Sequence, residues 1–446
     1  MSLEYIHNLL DLMGNPQNQL KVIQVAGTNG KGSTCRMLQT VLFEAGFKVG
    51  LFSSPALISM NEGIDLNGSW ITNEAFTTSA NKVIAVCRQL VARGMTHPTI
   101  YECLVVIGVD YFLSESVDIA LFEVGMGGRL DGTNIFEKPL FSMITTIGQD
   151  HMAFLGNTIS DIAFQKAGII KAHCPVIIGH MPYEAFHVIE KEAKKRHAPI
   201  ININHATTMH SSELVMMDSP EINAKLSEVG FCHPLSQKVN MDITFVIGSP
   251  IIDTQIGGSY ALTLLGDRQI HNLSLVLVAI NLLIKLGYHI TDSDLKAGFA
   301  KVDWPCRQEY LILKKGAQQF NIIIDGAHNH DSMRALIQTI KDQFPDRKLI
   351  TVFSALDDKD IPDMLSSLSE ISSHIICTSI NHARGIELES LKDMAKNAFR
   401  KVDIYEIPTD ALAFAFENSN YDTVLLTGSL YLTVPARFNL LDYNTR

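Results

Sequence analysis

The sequence predicts an α/β protein with a mostly parallel sheet, followed by a smaller doubly wound α/β domain. Two observations support this fold class. From about residue 20 onward, short apolar runs of strand length alternate with longer amphipathic stretches, as they do where strands alternate with helices. The length of 446 residues suggests two or three domains and allows a large core without disulfides or structural metals.

The first part of the chain contains five predicted strands and two clear helices. One helix is predicted from Ser33 to Gly46, where the glycine ends it, and a strongly apolar one over residues 271–287. Residues 200–265 lack helical periodicity and are rich in Ser, Thr, Asn and Gly, which predicts a small β-rich excursion from the main sheet. The strands are predicted at residues 21–27, 48–54, 117–125, 141–148 and 174–179.

A second series of strands and helices begins after residues 302–308. Pro305 interrupts the pattern there, so a boundary is expected near residues 298–306. The predicted domains are therefore residues 1–298 and 299–446. The strands of the second domain are predicted at residues 321–327, 348–355, 374–379 and 423–429.

Composition and charge argue against several classes of protein. Hydrophobic residues make up 46% and charged residues 19%, which is typical of globular proteins. The net charge of −11 argues against a nucleic acid or an anionic membrane as partner. The sequence has no window of 18 uncharged apolar residues, and its first residues do not read as a secretory signal. We therefore expect a cytoplasmic protein with no membrane partner.

The cysteines do not predict a disulfide framework. Their number is odd, and none belongs to a C-x-x-C pair. This pattern favours reduced thiols over disulfides or a zinc site. The seven cysteines are at positions 35, 87, 103, 174, 232, 306 and 377.

The strongest chemical signal is VIQVAGTNGKGST at residues 22–34. A buried strand runs into a glycine-rich turn, and a helix opens at Ser33 and Thr34. Such a turn lets backbone N–H groups approach phosphate oxygens, and the helix N-terminus adds partial positive charge. Lys31 would reach the β- and γ-phosphates, and a hydroxyl of the helix start could bind phosphate or Mg²⁺. The segment therefore predicts a P-loop-type ATPase domain.

The spacing of this segment differs from the usual G-x-x-x-x-G-K-[ST] pattern. Val25 stands where the first glycine belongs, and Gly32 follows the lysine. A glycine-rich turn without a ligand is therefore the alternative interpretation of these residues.

Polar side chains follow two further strands. Glu123 ends a strand and precedes a glycine-rich turn, on the sheet edge where α/β proteins bind ligands. Asp150 and His151 follow the next strand and are expected on the same edge. Carboxylates there could bind a nucleotide-associated Mg²⁺, which prefers hard oxygen ligands. An Asp-His pair in a loop is otherwise more often a hydrogen-bonded turn.

Other candidate residues have weaker local signals. By pattern alone, Lys166 is an ordinary lysine on a helix, with its ammonium group reaching solvent. Asp325 and His328 follow a predicted strand, where a turn and helix cap is the alternative. Arg307 could bind a phosphate or could simply be an exposed interdomain arginine.

Seven segments occur in the order typical of one enzyme family. They are AGTNGKGST, LFEVGMGGRLDGTN, TTIGQDH, QKAGI, WPCRQE, DGAHN and TGSLYL. With them the chain resembles the folylpolyglutamate synthase/dihydrofolate synthase family of the Mur ligase superfamily, from about residue 4 to residue 437. The resemblance implies an ATP-dependent carboxylate–amine ligase. In such an enzyme ATP converts a carboxylate of folate or dihydropteroate to an acyl phosphate, which the amino group of L-glutamate attacks.

The resemblance also implies roles for individual residues. Ser54 and Glu123 would bind one Mg²⁺, and Glu123 and His151 a second. Lys166 matches a lysine that is carbamylated in such enzymes. Closing of the cleft between the domains is expected during turnover, and members of the family are usually monomers. The triphosphate would be bound by Thr28, Asn29, Gly30, Lys31, Gly32, Ser33 and Thr34, and further nucleotide contacts would come from Asn272, Arg307, Asp325 and His328.

Departures from the family pattern concern the acceptor more than the chemistry. Ala56 replaces a common histidine and Gly63 a common arginine, in the loop expected to shape the acceptor region. Gln165, Cys306 and His330 also differ from the usual residues. Two alternatives therefore remain beside the folate ligase: a Mur-type ligase with another carboxylate acceptor, and an ATP-binding paralogue that does not ligate.

Overall fold

The computed structural model describes residues 2–216, 220–228, 231–232, 235–243, 257–315, 318–418 and 420–443. The chain divides into two compact units. The first unit comprises Met1–His210, Asn240–Ser259 and Ile270–Phe299, and the second comprises Ser211–Val239, Tyr260–Gln269 and Ala300–Arg446. The last change of unit along the chain falls between Phe299 and Ala300. The division into domains 1–298 and 299–446 itself stays a prediction.

The nine individually predicted strands are all present to within about four residues at each end, whereas the strands at residues 64–66, 69–70, 309–315 and 401–405 were not predicted. The strands are β1 (Val22–Ala26), β2 (Val49–Phe52), β3 (Ile64–Leu66), β4 (Ser69–Trp70), β5 (Ile119–Glu123), β6 (Phe141–Ile144), β7 (Val176–Ile178), β8 (Ile200–Asn202), β9 (Thr207–Met216), β10 (Phe231–Cys232), β11 (Leu235–Ile243), β12 (Gly257–Leu262), β13 (Glu309–Lys315), β14 (Gln318–Ile324), β15 (Leu349–Phe353), β16 (Ser372–Thr378), β17 (Lys401–Tyr405) and β18 (Thr423–Thr427).

The helices include the two predicted in the first part of the chain, which are α2 and α10 below. Each helix among the described residues is either too short or too polar to span a lipid bilayer. The helices are α1 (Glu4–Leu12), α2 (Lys31–Glu44), α3 (Asn73–Ala92), α4 (Ile100–Ser114), α5 (Met152–Leu155), α6 (Ile159–Lys166), α7 (Tyr183–Lys195), α8 (Ile203–Ala206), α9 (Pro220–Ser227), α10 (Asp267–Lys285), α11 (Asp292–Ala300), α12 (His330–Gln343), α13 (Ile361–Leu368), α14 (Leu388–Lys396), α15 (Pro408–Glu417) and α16 (Leu430–Tyr443).

An eight-stranded sheet of order β4-β3-β2-β5-β1-β6-β7-β8 forms the centre of the first unit. Its strands from β2 to β8 pair in parallel, and β3 and β4 continue it antiparallel. Val25 pairs with Glu123, and Ala26 pairs with Ile144. The carboxyl ends of β1, β5 and β6 therefore lie side by side, which is where parallel sheets bind ligands.

Buried apolar side chains fix this sheet against its helices. All five residues of β1 and all five of β5 are buried, as expected for central strands of a parallel sheet. One apolar cluster joins Phe52 and Phe122 to side chains of α1, α3 and α4. Another joins Ile144 and Ile178 to side chains of α6 and α7. These contacts hold the strand ends, and the loops that follow them, in fixed positions.

The predicted β-rich excursion is confirmed within the described residues. β9, β11 and β12 form a three-stranded sheet of order β12-β11-β9. The prediction also covered residues 217–219, 229–230, 233–234 and 244–256, which lie outside the described residues.

The second unit is built on a seven-stranded sheet of order β10-β13-β14-β18-β15-β16-β17. The five strands from β14 to β17 in this order pair in parallel, and β10 and β13 are antiparallel. Helices α12 to α16 alternate with these strands along the chain, as in a doubly wound fold. The predicted fold class is therefore confirmed.

One buried ion pair stabilises the second unit. The guanidinium group of Arg437 in α16 donates two hydrogen bonds to the carboxylate of Glu309 in β13, at 2.7 and 2.6 Å. The two side chains are 15% and 8% exposed. Arg437→Met leaves a buried carboxylate without its cation, so we expect a loss of about 3 kcal/mol in the free energy of unfolding, measured by urea denaturation.

An exposed pair in the same unit provides the matched control. Arg384 and Asp358 lie 2.9 Å apart with side chains 48% and 37% exposed. Because solvent screens such a pair, Arg384→Met should cost less than about 1 kcal/mol. Equal losses for the two variants would contradict the role assigned to burial.

Candidate active site

The loop between β1 and α2 is built around glycines. Gly27 has a φ of 155° and Gly30 a φ of 85°. A Cβ atom at Gly27 would lie 1.8 Å from Oγ1 of Thr145, and one at Gly30 would lie 2.4 Å from Oδ1 of Asn272. Any side chain at these positions would therefore displace a neighbour, and only glycine lets the loop take this path.

Hydrogen bonds fasten this loop to the segment that follows β6. The backbone N–H of Thr28 donates to the carbonyl of Thr146 at 2.8 Å, and its hydroxyl donates to the carbonyl of Gly148 at 3.1 Å. The N–H of Asn29 donates to the hydroxyl of Thr146 at 3.1 Å. Thr145 donates its hydroxyl to the carbonyl of Asn29 at 2.6 Å. The loop is thus held in shape before any ligand arrives.

Two lysine side chains converge on this loop. Lys31 donates its ammonium group to the carbonyl of Gly27 at 3.1 Å, and Lys166 donates to the same oxygen at 2.8 Å. Two amines therefore donate to one carbonyl oxygen of the loop, and the positive charge of Lys31 suits the charge of a polyphosphate.

Lys166 is buried, with 5% of its surface exposed, so the expectation of a solvent-reaching lysine is wrong. The pattern misled because the loop that covers its ammonium group is distant in sequence. Burial, and next the charge of Lys31, lower the pKa of Lys166 to about 7, against the opposing effect of Asp150 and Asp131. Near neutral pH a large fraction of this amine is uncharged.

A buried carboxylate and a buried hydroxyl accompany the loop. Glu123 ends β5 and is 6% exposed. Burial, and then the charge of Glu123, raise the pKa of the Cys35 thiol in α2, which shows that the carboxylate acts on the start of that helix. Within the described residues, the hydroxyl of Thr34 is buried without a hydrogen-bond partner. The neighbouring Gly32 and Ser33 are also buried in the first turn of α2.

A tyrosine network that the sequence analysis missed lies beside Glu123. The hydroxyl of Tyr101 donates to Oδ1 of Asp131 at 3.2 Å and accepts the N–H of Gly125 at 3.1 Å. Burial, and then Asp131, raise the pKa of Tyr101, while the Ser54 side chain opposes the shift. The network thus joins Tyr101 to the turn that follows Glu123, and Ser54 lies close enough to affect the hydroxyl.

Asp150 and His151 follow β6 in a loop, as predicted. His151 is exposed, has a φ of 51° and precedes the short helix α5. Its N–H donates to Oδ1 of Asp150 at 2.9 Å. The carboxylate of Asp150 lies close enough to Lys166 to raise the pKa of that amine. The charge of Asp150 therefore acts on Lys166.

The predicted residues of the second unit gather after β14. Asp325 accepts the N–H groups of Gln308 at 2.8 Å and Ala327 at 2.7 Å. Burial raises the pKa of Asp325 to about 6, while the charge of Arg307 opposes the shift. Nδ1 of His328 donates to the carbonyl of Gly326 at 2.8 Å.

The helix cap in this segment is a different residue. Asn329 caps α12 by accepting the N–H of Ser332 at 2.9 Å. The capping role considered for Asp325 and His328 therefore falls to Asn329. The other part of that alternative, a turn, is present, since Asp325 accepts the N–H of Ala327 and His328 donates to the carbonyl of Gly326.

Two Mur ligase domain families match the chain. The Mur ligase middle domain family matches residues 25–280, and the Mur ligase, glutamate ligase domain family matches residues 309–430. The first match alone spans more than half of the chain. The fold and these two matches thus define the class of protein, a Mur-type ligase.

Relatives and solved structures narrow this class. The dihydrofolate synthase/folylpolyglutamate synthase of Bacillus subtilis (strain 168) is 33% identical over 97% of this chain and 93% of its own. The folylpolyglutamate synthase of Lacticaseibacillus casei is 30% identical over 98% of this chain and 94% of its own. The structure of Mycobacterium tuberculosis folylpolyglutamate synthase complexed with ADP and AMPPCP is similar to this chain with a TM-score of 0.82 and 27% sequence identity. The match covers 99% of this chain and 95% of that one.

The chain belongs to the folylpolyglutamate synthase/dihydrofolate synthase family. The resemblance inferred from the sequence motifs is thereby confirmed. Enzymes of this family are ATP-dependent ligases, and the chain is an enzyme of this class.

Proposed function

We propose that this enzyme uses ATP to add L-glutamate to folate and to dihydropteroate, through an acyl phosphate. The observation that carries the proposal is the glycine-built loop of residues 27–30, where Lys31 and Lys166 share one carbonyl oxygen. Relatives named for both activities, such as the Bacillus subtilis enzyme, support the pair of acceptors.

The loop and the start of α2 bind the triphosphate in this proposal. Backbone N–H groups at a helix N-terminus bind phosphate oxygens, and the Lys31 ammonium neutralises charge on the transferred group. A phosphate seated there would offer an acceptor to the hydroxyl of Thr34 and would compete with the Gly27 carbonyl for Lys31. The residues assigned to this role are Thr28, Asn29, Gly30, Lys31, Gly32, Ser33 and Thr34.

The proposal gives further nucleotide contacts to residues of both units. Asn272 lies against Gly30, so it can bind a ligand of the loop. In the second unit, Arg307 supplies a cation near the buried carboxylate of Asp325, and His328 follows on the same turn.

The residues at the strand ends fit magnesium. Glu123 offers a buried carboxylate, Ser54 a hydroxyl that affects the nearby Tyr101, and His151 an exposed imidazole. Mg²⁺ prefers hard oxygen ligands, which the first two supply. We assign Ser54 and Glu123 to one Mg²⁺ and Glu123 and His151 to a second. A bound ion would neutralise charge on the phosphates during transfer.

The proposed reaction has two steps, phosphorylation of the acceptor and formation of the amide. A carboxylate oxygen of the acceptor attacks the γ-phosphorus of ATP, and the bond to the bridging oxygen breaks to release ADP. The amino group of L-glutamate then attacks the acyl carbon, loses a proton and expels phosphate as the amide forms. In both steps the loop and Lys31 hold the charged phosphoryl group in place and balance its charge.

In this proposal the Lys166 side chain is carbamylated by CO₂. Its amine is buried beside the loop, and its pKa of about 7 leaves a neutral nucleophile in mildly basic solution. The lone pair of the neutral amine attacks the carbon of CO₂ and the nitrogen loses one proton, so a neutral group becomes an anion. A carboxylate-like group there would complement the second Mg²⁺.

Carbamylation should increase with pH, because the lowered pKa of Lys166 sets where its amine becomes free. Below about 7 the amine is an ammonium group and cannot react, whereas above it the amine is free. With ¹³C-bicarbonate, we expect a carbamate signal in ¹³C NMR at about pH 8.5 that disappears at about pH 5.5.

Lys171 provides the matched control for this experiment. Burial, and next the charge of Arg196, also lower its pKa, to about 8. Lys166→Arg should abolish the carbamate signal, and Lys171→Arg should keep it. A signal that survives Lys166→Arg and vanishes in Lys171→Arg would show that Lys171 is the modified lysine, which would contradict this proposal.

The loop after β2 is the place where another acceptor would be selected. Glu62 accepts the N–H of Leu57, and that of Ile58 at 3.0 Å, which closes this loop on itself. A Cβ at Gly63 would lie 3.0 Å from the Ser53 carbonyl oxygen. The loop is thus shaped around glycine and cannot accept an arginine here without moving. Because Ala56 and Gly63 depart from the family pattern, a non-folate carboxylate is the second candidate acceptor.

Acceptor-dependent phosphate release tests the proposed function. The enzyme is given MgATP and L-glutamate with tetrahydrofolate, with dihydropteroate, or with no acceptor, and products are analysed by mass spectrometry. We expect phosphate release with each acceptor and a product heavier by one glutamyl unit. ATP binding without acceptor-dependent release would overturn the folate assignment and leave the non-folate acceptor or a non-ligating ATP-binding protein.

The proposal also includes a monomeric enzyme in the cytoplasm. All seven cysteines are free thiols in the structure, which suits a reducing compartment. Sedimentation of the purified enzyme would test the monomer, and fluorescence microscopy of a tagged chain would test the location.

A further inference from the structure

Three side chains that are suited to bind a soft metal ion meet at the α3–α4 hairpin of the first unit. Cys87 lies in α3, His97 in the connection between the helices and Cys103 in α4. The two sulfur atoms and one ring nitrogen of His97 all lie within 4.8 Å of one another. The spacing along the chain follows no familiar metal motif, so the sequence favoured free thiols.

The distance between the sulfurs already suits a shared ion. The Sγ atoms of Cys87 and Cys103 are 3.9 Å apart. Zinc–sulfur bonds of about 2.3 Å at a tetrahedral angle place two sulfurs about 3.8 Å apart. The two helices therefore need not move for both thiols to reach one zinc ion.

The imidazole of His97 has the hydrogen bond that is typical of a metal ligand. Its Nδ1 lies 2.6 Å from the carbonyl oxygen of Pro98, to which it donates. A neutral ring that donates from Nδ1 carries its lone pair on Nε2. Metal-bound histidines are usually oriented by such a bond from the other ring nitrogen. His97 is exposed while Cys87 is buried, so an ion can enter from the loop side.

The charges of such a site balance. Two thiolates and a neutral imidazole give Zn²⁺ a net charge of zero, which lowers the cost of burying the ion. Burial raises the pKa of Cys87, and burial together with Cys87 raises the pKa of Cys103 to about 12, so both thiols are protonated without a metal. Binding therefore forms two zinc–sulfur bonds and one zinc–nitrogen bond and releases two protons to solvent.

We infer that Cys87, His97 and Cys103 form a zinc-binding site, with a water molecule at the fourth position. This site is separate from the residues assigned to magnesium, whose ligands are oxygen-rich. An ion here ties α3 to α4 through their connection and should raise the melting temperature of the chain.

Cobalt titration of the reduced full-length protein tests this inference. We expect one Co²⁺ per chain, thiolate-to-cobalt charge-transfer absorption, and its loss when Zn²⁺ displaces the cobalt. His97→Asn should weaken zinc binding at least about tenfold, and Cys103→Ser should weaken it and reduce the absorption. His7→Asn, at another exposed histidine, and Cys174→Ser, at another partly buried cysteine, should bind like the native chain.

Two outcomes would overturn the inference. One is a native chain without thiolate-to-cobalt absorption, and the other is binding that is unchanged in both His97→Asn and Cys103→Ser. Circular dichroism of the metal-free variants separates lost binding from lost folding. Because His97 is exposed, its variant stays decisive if Cys103→Ser fails to fold. The measurement uses no ATP or folate, so it stands whether or not the proposed ligase activity is found.

Discussion

Replacing Glu123 by glutamine is expected to lower kcat/KM with MgATP by about 10³-fold. The carboxylate is buried at the end of β5, beside the loop that carries Lys31, and is assigned to both magnesium ions. Glutamine keeps the size of the side chain and removes its charge. The loss corresponds to about 4 kcal/mol, which is within the range that charge stabilisation by a metal ion supplies in a transition state.

Asp118 offers a matched control for this variant. It is an exposed carboxylate just before β5, at the other end of the same strand, and accepts the N–H of Lys48 at 2.8 Å. Asp118→Asn makes the same change in charge and should leave kcat/KM within about twofold of the native value. Steady-state rates over a range of Mg²⁺ concentrations should show a raised Mg²⁺ requirement only for Glu123→Gln. Equal rates for the native enzyme and Glu123→Gln would remove this residue from the metal sites.

The sheets and the shape of the glycine-built loop of residues 27–30 were predictable because their signals are local. Each central strand is a short apolar run, and residues 22–34 combine strand, glycine turn, lysine and helix start within one segment. The neighbours along the sheet edge were also predictable, since carboxyl ends of parallel strands meet. The structure accordingly has Glu123 at this edge of the sheet, beside the loop, as expected.

Other parts of the site depend on contacts between distant segments. Tyr101 reaches Asp131 and Gly125 from the start of α4, and no motif marks it in the sequence. The burial of Lys166 follows from its contact with Gly27, which lies 139 positions away. Cys87 and Cys103 meet only because α3 and α4 pack as a hairpin. Such pairs become visible only when the fold is known.

Replacing Lys31 by methionine is expected to lower kcat/KM for ATP by about 10²- to 10³-fold, the usual cost of removing one preorganised charge from a transition state. Lys31 is the loop lysine, and its ammonium group lies 3.1 Å from the Gly27 carbonyl oxygen. Lys48→Met is the control, because that side chain is 39% exposed and pairs with Glu115 on the surface. It should retain native rates within about twofold.

The same variant should change the chemistry of Lys166 in a predictable direction. Next to burial, the charge of Lys31 is the main cause of the lowered pKa of Lys166. Without that charge the pKa of Lys166 rises, so its ammonium form persists to higher pH. The pH at which the ¹³C carbamate signal is half-maximal should therefore move upward in Lys31→Met, while Lys31→Arg, which keeps the charge, should stay near the native value. An unmoved midpoint in Lys31→Met would mean that the two lysines are not coupled across the Gly27 carbonyl. A lost rate would then reflect phosphate binding by Lys31 alone.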